Sequence, residues 1–407
     1  MPKRSVTRRG FLKGTAAAGA AAAFPLVVRS SALGLEGAVP PSERITLGAV
    51  GLGGQGTGDL NGFLGFREVQ AVAVCDVIRG HRERAKANVD KRYGNHDCAA
   101  CGDFREVTRR PDIDAVLVAT PDHWHAIPSI DAMRHGKDVY CEKPLSLTIR
   151  EGRAMADTAR RYGRVFSCGS QRVRGDHGRL ADLVASGAIG RVQEVYINVW
   201  GPSKPCDLGA GGPVPVGLDW DFWLGPAPWR PYHPGVLNFR PWRDYSGGGM
   251  TDWGAHHFAG ALYALKLDST GPVEVVPPDG RDHPYLTYVF ANGIRMYHSN
   301  RYGHGIQFIG SAGQAPGPDL RPRDPNPLRQ YRGRGGIFGD WLHCVRTRQA
   351  PFQDVEYAHR TATVCHLGNI AYILQRPLKW DPARERFVGD EEADRWLDRP
   401  KREPWRV

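Results

Sequence analysis

The junction between the apolar run Ile45 to Val50 and Gly51-Leu52-Gly53-Gly54-Gln55-Gly56 restricts the fold of this chain more than any other stretch. A helical pattern begins at the glycines. The first glycine permits a tight turn, the second lets backbone approach a ligand, and the third lets the helix pack on the strand. The start of that helix turns free N–H groups and a positive dipole end toward an anion. Val69 to Cys75 then reads as a second buried strand ending at Asp76, 20 residues after Gly56. Strand, glycines, helix, strand and acid in this order predict a dinucleotide-binding βαβ unit, with Asp76 accepting hydrogen bonds from the adenosine ribose. A carboxylate there repels a 2′-phosphate and so favours NAD over NADP, although Arg79 close by argues the other way.

The stretch Ala115 to Pro144 reads as another βαβ unit. Ala115 to Ala119 is a valine-bearing strand broken by Thr120-Pro121. Asp122 is expected to cap the helix that follows, Gly136 to stop it, and Val139 to Cys141 to resume a buried strand. Both strands end at the edge where open parallel sheets bind ligands, and the prolines keep Thr120 and Lys143 out of helix, extended toward the crevice. Lys143 is the residue this singles out, although with Glu142-Lys143-Pro144 alone a solvated surface lysine is the better reading. Thr148-Ile-Arg-Glu151 is a capping box, Gly163 ends its helix, and Val165 to Cys168 is a further strand. The nucleotide-binding domain is expected to span 41–167.

Beyond it the pattern changes. Val192 to Val199 alternates as a long strand, Leu286 to Ala291 and Ile294 to His298 form a hairpin around Asn292-Gly293, and Ile306 to Ile309 is another strand. A largely antiparallel sheet follows for 168–380. The loop-rich region Gly201 to Gly249 holds Trp220, Trp223, Trp229, Tyr232, Trp242 and Tyr245, which suits a core or a sugar-stacking cleft equally. If a helix runs from Thr251 to Leu265, Asp252 and His256 share one face while His257 packs elsewhere. Residues 313–336 read as a long surface loop, with helices over Ile337 to Arg346 and Glu356 to Leu374. The charged tail 381–407 is expected to pack across a subunit boundary.

Composition sets limits. The net charge is +11, but six basic residues and no acidic one lie in residues 1–32; the other 48 basic and 43 acidic residues leave only +5. That excess is too small and too evenly spread for nucleic acid. The early positive charge belongs to an export signal: Thr7-Arg8-Arg9-Gly10-Phe11-Leu12-Lys13 has the twin-arginine pattern, followed by a weakly apolar segment and small residues at Ser30-Ser31-Ala32. Residues 1–40 are thus a signal and linker, too short in apolar length for a membrane span. Of eight cysteines, Cys98 and Cys101 are spaced for a small disulfide, and no metal site is expected there.

With Gly51 to Gly56, Asp76, Glu142-Lys143-Pro144 and the Asp252/His256 pair in order, the chain resembles the Gfo/Idh/MocA oxidoreductase family. The resemblance implies an α/β protein: an N-terminal Rossmann doubly wound parallel sheet, and a C-terminal α/β domain whose large, mostly antiparallel open sheet makes a homo-oligomer interface. It implies NAD held by Gly51, Gly53, Gly54, Gln55, Gly56, Asp76, Thr120, Pro121, His125, Glu142 and Lys143. It carries catalytic roles to Lys143, Asp252 and His256, and substrate contacts to Arg172, Arg240 and Trp242. Oxidising a secondary alcohol needs a base near the hydroxyl; His256 suits that role with Asp252 orienting it and Lys143 stabilising the oxygen, or Lys143 is itself the base. The expected activity is transfer of a hydride between tightly held NAD and a sugar, polyol or glycoside. Redox-assisted glycoside cleavage that consumes no NAD is the alternative, and a non-catalytic sugar-binding relic is a third reading.

Overall fold

The computed structural model describes residues 39–303, 305–317, 320–321 and 328–407. The export signal therefore lies outside the described residues, as does part of the loop expected after residue 313. Residues 39–44 belong to a separate N-terminal unit with one 3-10 turn, Pro41–Glu43. Everything from Ile45 to Val407 forms a second unit containing two sheets.

The first sheet is built in strict alternation: β1 (Ile45–Val50), α1 (Gly54–Leu64), β2 (Val69–Cys75), α2 (Arg79–Tyr93), β3 (Ala99–Cys101), α3 (Arg105–Thr108), β4 (Ala115–Val118), α4 (Ala126–Arg134), β5 (Asp138–Cys141), α5 (Ile149–Arg161) and β6 (Phe166–Cys168). All pairings are parallel, in the order β3-β2-β1-β4-β5-β6. Strands buried on both faces must be apolar on both, and β4 does this by alternation: Ala115 and Leu117 enter one core, Val116 and Val118 the other. The chain runs outward from β1 in both directions, so a crevice opens at the β1/β4 switch point beyond the strand ends. The capping box forms with a twist: the Glu151 N–H donates to Thr148 Oγ1 (3.2 Å), but the Glu151 carboxylate accepts from the Leu147 N–H, one residue before the cap.

The cysteine expectation needs correction. All eight cysteines are free. Ala99–Cys101 is extended as the edge strand β3, which sets Cys98 and Cys101 roughly 10 Å apart, beyond disulfide reach. Cys101 instead stands in register beside Cys75.

The second part contains α6 (Gly178–Ala185), β7 (Val192–Asn198), α7 (Trp220–Leu224), α8 (Gly249–Asp252), α9 (Gly254–Leu265), β8 (Glu274–Val276), β9 (Leu286–Val289), β10 (Arg295–His298), β11 (Gly305–Gly310), β12 (Gly313–Ala315), α10 (Gly336–Thr347), α11 (Val355–Leu374), β13 (Leu378–Asp381), β14 (Arg386–Phe387) and α12 (Glu391–Asp394). Its sheet runs β12-β11-β7-β10-β9-β8-β13-β14, antiparallel except where β7 meets β10. The hairpin turn is as read: Gly293 takes φ +87° and Asn292 Oδ1 accepts from the Ile294 N–H. One face of the sheet packs on α9 and α11 through Val195, Ile197, Phe258, Tyr288, Met296 and Leu367. The other carries Tyr196 stacked on Tyr297 at 4.8 Å, with Tyr285 and Tyr302 edge-on to Tyr196.

The two sheets are not separate along the chain. α10 returns to the first sheet, where Trp341 packs edge-on against Phe63 and Tyr140. α11 joins both cores, giving Val355, Ala358 and Ala362 to the first and Val364, Leu367 and Ile370 to the second. The tail packs on its own chain: Trp405 stands edge-on to Trp124 (4.7 Å) and Phe222 (5.1 Å), and Arg402 Nε donates to the Gly225 carbonyl. Its spaced tryptophans are intramolecular anchors. Nor is 313–336 wholly loop, since it opens with β12 and Leu328 and Tyr331 pack onto the cores. Among the described residues no helix is long and apolar enough to cross a membrane.

Trp341 is fully buried. Trp341→Ala should therefore lower unfolding free energy by about 3–5 kcal/mol, measured by urea denaturation.

Candidate active site

A cavity of about 530 Å³ lies along the ends of β2, β1, β4 and β5. Strand order places Asp76, the glycine loop, Thr120-Pro121 and Glu142-Lys143 side by side along it. The glycines are needed for different reasons. Gly51 has φ +84°, and a Cβ there would lie 2.6 Å from the backbone of Ala119 and Thr120. A Cβ on Gly56 would fall on the Gly51 carbonyl oxygen, so strand and helix approach too closely for any side chain. Gly53 and Gly54 face open space, which leaves the start of α1 clear for an anionic ligand. Asp76 Oδ2 accepts from the Leu52 N–H (2.7 Å) and Oδ1 from the Ile78 N–H (2.8 Å), so the acid that ends β2 also holds the loop in shape. His81 Nδ1 lies 3.3 Å from the same carboxylate.

At the other end Lys143 Nζ donates to Asp252 Oδ1, and Arg240 Nε stands 3.2 Å from Asp252 Oδ2. One buried carboxylate thus bridges two cations, with Lys143 and Arg240 lining the cavity. The Arg240 guanidinium lies 4.9 Å over the Phe239 ring, which also lines the cavity. Glu142 is buried beside them: Oε1 accepts from Gln171 Nε2 (2.7 Å) and Oε2 from the Lys143 N–H (3.1 Å), and burial pushes its carboxyl up to about 8.

Two expected roles come out differently. Asp122 does not cap α4. Its chain first makes a 3-10 turn, Asp122–Trp124, and its carboxylate accepts from Ser246 Oγ (2.7 Å) while lining the cavity. Ser246 Oγ in turn accepts from the Gly248 N–H at the start of α8, so Asp122 braces the helix that carries Asp252. Burial raises Asp122 to about 7, with the nearby Asp252 charge adding to the effect and the Ser246 hydroxyl opposing it. His125 does not line the cavity. Its Nδ1 lies 2.6 Å from the Pro144 carbonyl and its Nε2 2.8 Å from the Thr120 carbonyl, so the ring sits between the ends of the two proline-ended strands. Burial lowers the ring to about 4, so it is neutral at ordinary pH and only one of these contacts carries a hydrogen.

The helix expected from Thr251 is broken at Trp253 into α8 and α9, and the His256 N–H donates to the Trp253 carbonyl rather than to Asp252. The Asp252 side chain meets Lys143 and Arg240. His256 is buried, its Nδ1 has no partner among the described residues, and burial with the Lys143 and Arg172 charges lowers it to about 2. Arg172 pairs with Asp176 and lies 4.9 Å over Trp253. Trp242 belongs to an aromatic core with Trp220, Trp223, Tyr232 and Tyr245, and its indole N–H donates to the Gly235 carbonyl. The dense aromatics are thus mainly core, with Trp223 on the cavity wall and Trp229 exposed.

Asp122 supplies a test. A folded value near 7 against about 4 unfolded means that the folded state binds more protons in between, so the stability Asp122 gives is complete below pH 4 and lost as pH rises through 7. Asp122→Asn keeps the acceptor for Ser246 and has no charge to bury. Its stability relative to the parent should climb by up to about 1.4 kcal/mol per pH unit over that window, measured by urea unfolding at pH 4, 5.5 and 7.

Comparison with known proteins agrees with this architecture. The profile "Oxidoreductase family, NAD-binding Rossmann fold" matches residues 45–170, and its partner "Oxidoreductase family, C-terminal alpha/beta domain" matches 207–313 and 318–407. A twin-arginine translocation signal matches residues 5–25, so the chain is exported to the periplasm or beyond. Glycosyl hydrolase family 109 protein 1 of Shewanella sp. (strain ANA-3) is 34% identical over 137 residues, 33% of this chain and 29% of that protein. The alpha-N-acetylgalactosaminidase of Shewanella oneidensis is 34% identical over 125 residues, 30% of this chain and 27% of that protein. These matches span under a third of either relative. Among solved structures, myo-inositol 2-dehydrogenase from Lactobacillus plantarum superposes with a TM-score of 0.59 at 18% identity, covering 83% of this chain and 99% of that one. Levoglucosan dehydrogenase in complex with NADH and L-sorbose gives 0.56 at 16%, with the same coverage. At such identities the likeness is one of fold. The profiles, covering both sheets, identify this chain as a member of the Gfo/Idh/MocA oxidoreductase family.

Proposed function

We propose that the chain oxidises and reduces a secondary alcohol of a sugar, polyol or glycoside with an NAD that it carries through export. The observation that carries this reading is the Lys143–Asp252–Arg240 ion triad at the far end of a glycine-cradled cavity. The residues fit a dinucleotide: open glycines at a helix start for the pyrophosphate, and Asp76 for the ribose hydroxyls, which disfavours a 2′-phosphate. The end of the cavity at Lys143 and Arg240 would then hold the nicotinamide, which would supply hydride acceptance and donation.

The chain's own residues handle the oxygen and its proton. Lys143, pinned by Asp252, donates to the substrate oxygen and gives it a proton as a carbonyl is reduced. In the opposite direction the same nitrogen, in neutral form, receives the hydroxyl proton. Asp252 is held between two cations and so fixes Lys143 in place. His256, too weakly basic to compete for the proton, is a buried neutral ring beside Trp253. Arg240 and Arg172 supply donors to further hydroxyls. The tyrosine-bearing outer face of the second sheet is the surface through which copies of the chain assemble in this reading.

A second reading is favoured by the family 109 relatives together with export, since free dinucleotide is scarce outside the cytoplasm. Oxidation of one sugar carbon acidifies the adjacent C–H, the substituent beyond it leaves, and the carbon is reduced again, so NAD is required but not consumed.

Protein purified after export, then denatured, should release about one NAD per chain by mass spectrometry; absence of nucleotide both at purification and on titration with NAD overturns the cofactor reading. Lys143→Met should lower turnover on polyols or nitrophenyl glycosides by roughly 10²–10⁴ while NAD stays bound. Net growth of the reduced-nicotinamide absorbance marks the first reading, aglycone release without it the second. Asp76→Ala should weaken NAD binding by about 10–100-fold, read by nucleotide titration.

A further inference from the structure

Beneath the Lys143 end of the cavity lie two carboxyl groups that the mechanism above does not use as a pair. Asp59 projects inward from α1, one turn after Gln55, and is 2% exposed; Glu142 follows β5 and is 3% exposed. Their donors are few. Gln55 Nε2 reaches Asp59 Oδ1 (2.9 Å), while Gln171 Nε2 and the Lys143 N–H take the two oxygens of Glu142. Asp59 Oδ2 is buried and has no hydrogen-bond donor among the described residues. A buried carboxylate oxygen without a donor is costly, and two neighbouring carboxylates in one dry site cannot both ionise.

We propose that Asp59 and Glu142 share one proton, and that the pair changes charge with the charge of the ring above it, holding the proton when the bound nicotinamide is reduced and neutral and releasing it when the ring is oxidised and cationic. Asp59 is then a positioning residue: it touches no cofactor and acts through Glu142, which lines the cavity. This rests on the reading that a nicotinamide occupies the Lys143 end. Burial raises Asp59 to about 7 against the opposing hydrogen bonds to Gln55 and Glu142, and burial with the Asp59 charge raises Glu142 to about 8, which keeps the proton in the working range. The other titratable groups that face the pair are Lys143 above it, Tyr140 and Cys141 on β5, and Cys168 on β6. Burial pushes Tyr140 and Cys141 well up and Cys168 to about 12, so these three stay neutral throughout.

Infrared difference spectroscopy of the NAD-loaded protein tests this without measuring turnover. Reducing the bound nucleotide with dithionite near pH 7.5 should add the C=O stretch of about one protonated carboxyl per chain and remove a carboxylate band. Asp59→Asn, whose amide can donate to Glu142 and hold it ionised, should abolish the pair of bands; Asp122→Asn should leave it. Glu142→Gln should also abolish it, which guards against misfolding of one variant. A bound nucleotide whose reduction produces no carboxyl band in the parent protein, or the same band in Asp59→Asn, overturns the shared proton. Lack of any bound nucleotide overturns the cofactor reading instead, and this proposal with it.

Discussion

The carboxylate of Asp252 joins the two halves of the site. It is supplied by α8, on the side of the second sheet, yet one oxygen receives the Lys143 ammonium from the end of β5 and the other faces Arg240. A half-buried ammonium at a parallel-sheet edge is unfavourable unless a fixed anion meets it, and Asp252 is fixed by the residues that start α8. Ser246 links the Gly248 N–H to Asp122, which belongs to the loop after β4. The helix bearing the anion is therefore tied to the same edge that bears the cation, and the cavity takes its shape from that closed circuit.

His125 plays the matching part within the first sheet. The prolines after β4 and β5 remove backbone donors and keep helices from starting at the strand ends, so something else must set the distance between these ends. The buried His125 ring does so by filling the space between the Thr120 and Pro144 carbonyls, its one N–H donating to one of them. Its place behind the strand ends supports the cavity. α11 gives the same kind of support on a larger scale, since one helix shared by two cores makes it hard for either sheet to move alone.

Legibility followed periodicity and backbone chemistry. β1, β2 and the glycine loop came out within a residue of the structure because buried parallel strands are continuous apolar runs and glycine positions obey local sterics. The hairpin at Asn292-Gly293 was readable for the same reason. What could not be read depended on residues far apart in sequence. Asp122 has the side chain of a helix cap, and nothing nearby shows that Ser246, 124 residues on, will take it. The turn at Trp253 that divides the expected helix in two was equally hidden, since Trp253 is fitted between Trp200, His257 and the Arg172 guanidinium. Asp59 drew no notice because one acid in a helix usually faces water; only the fold shows it opposite Glu142.

Export gives these buried charges a common logic. Outside the cytoplasm a lost dinucleotide is not readily replaced, so in the function proposed above a site that kept its cofactor would have to tolerate both of its charge states without opening. Fixed cations alone would favour one state. Lys143 and Arg240, already matched by Asp252, leave the charge above Glu142 to be met by a group that can itself change. A carboxyl pair able to gain or lose one proton adjusts the local charge by one unit with no movement of backbone, and Gly169, lying too close to Glu142 Oε1 to admit any side chain, keeps that pair packed while it does so.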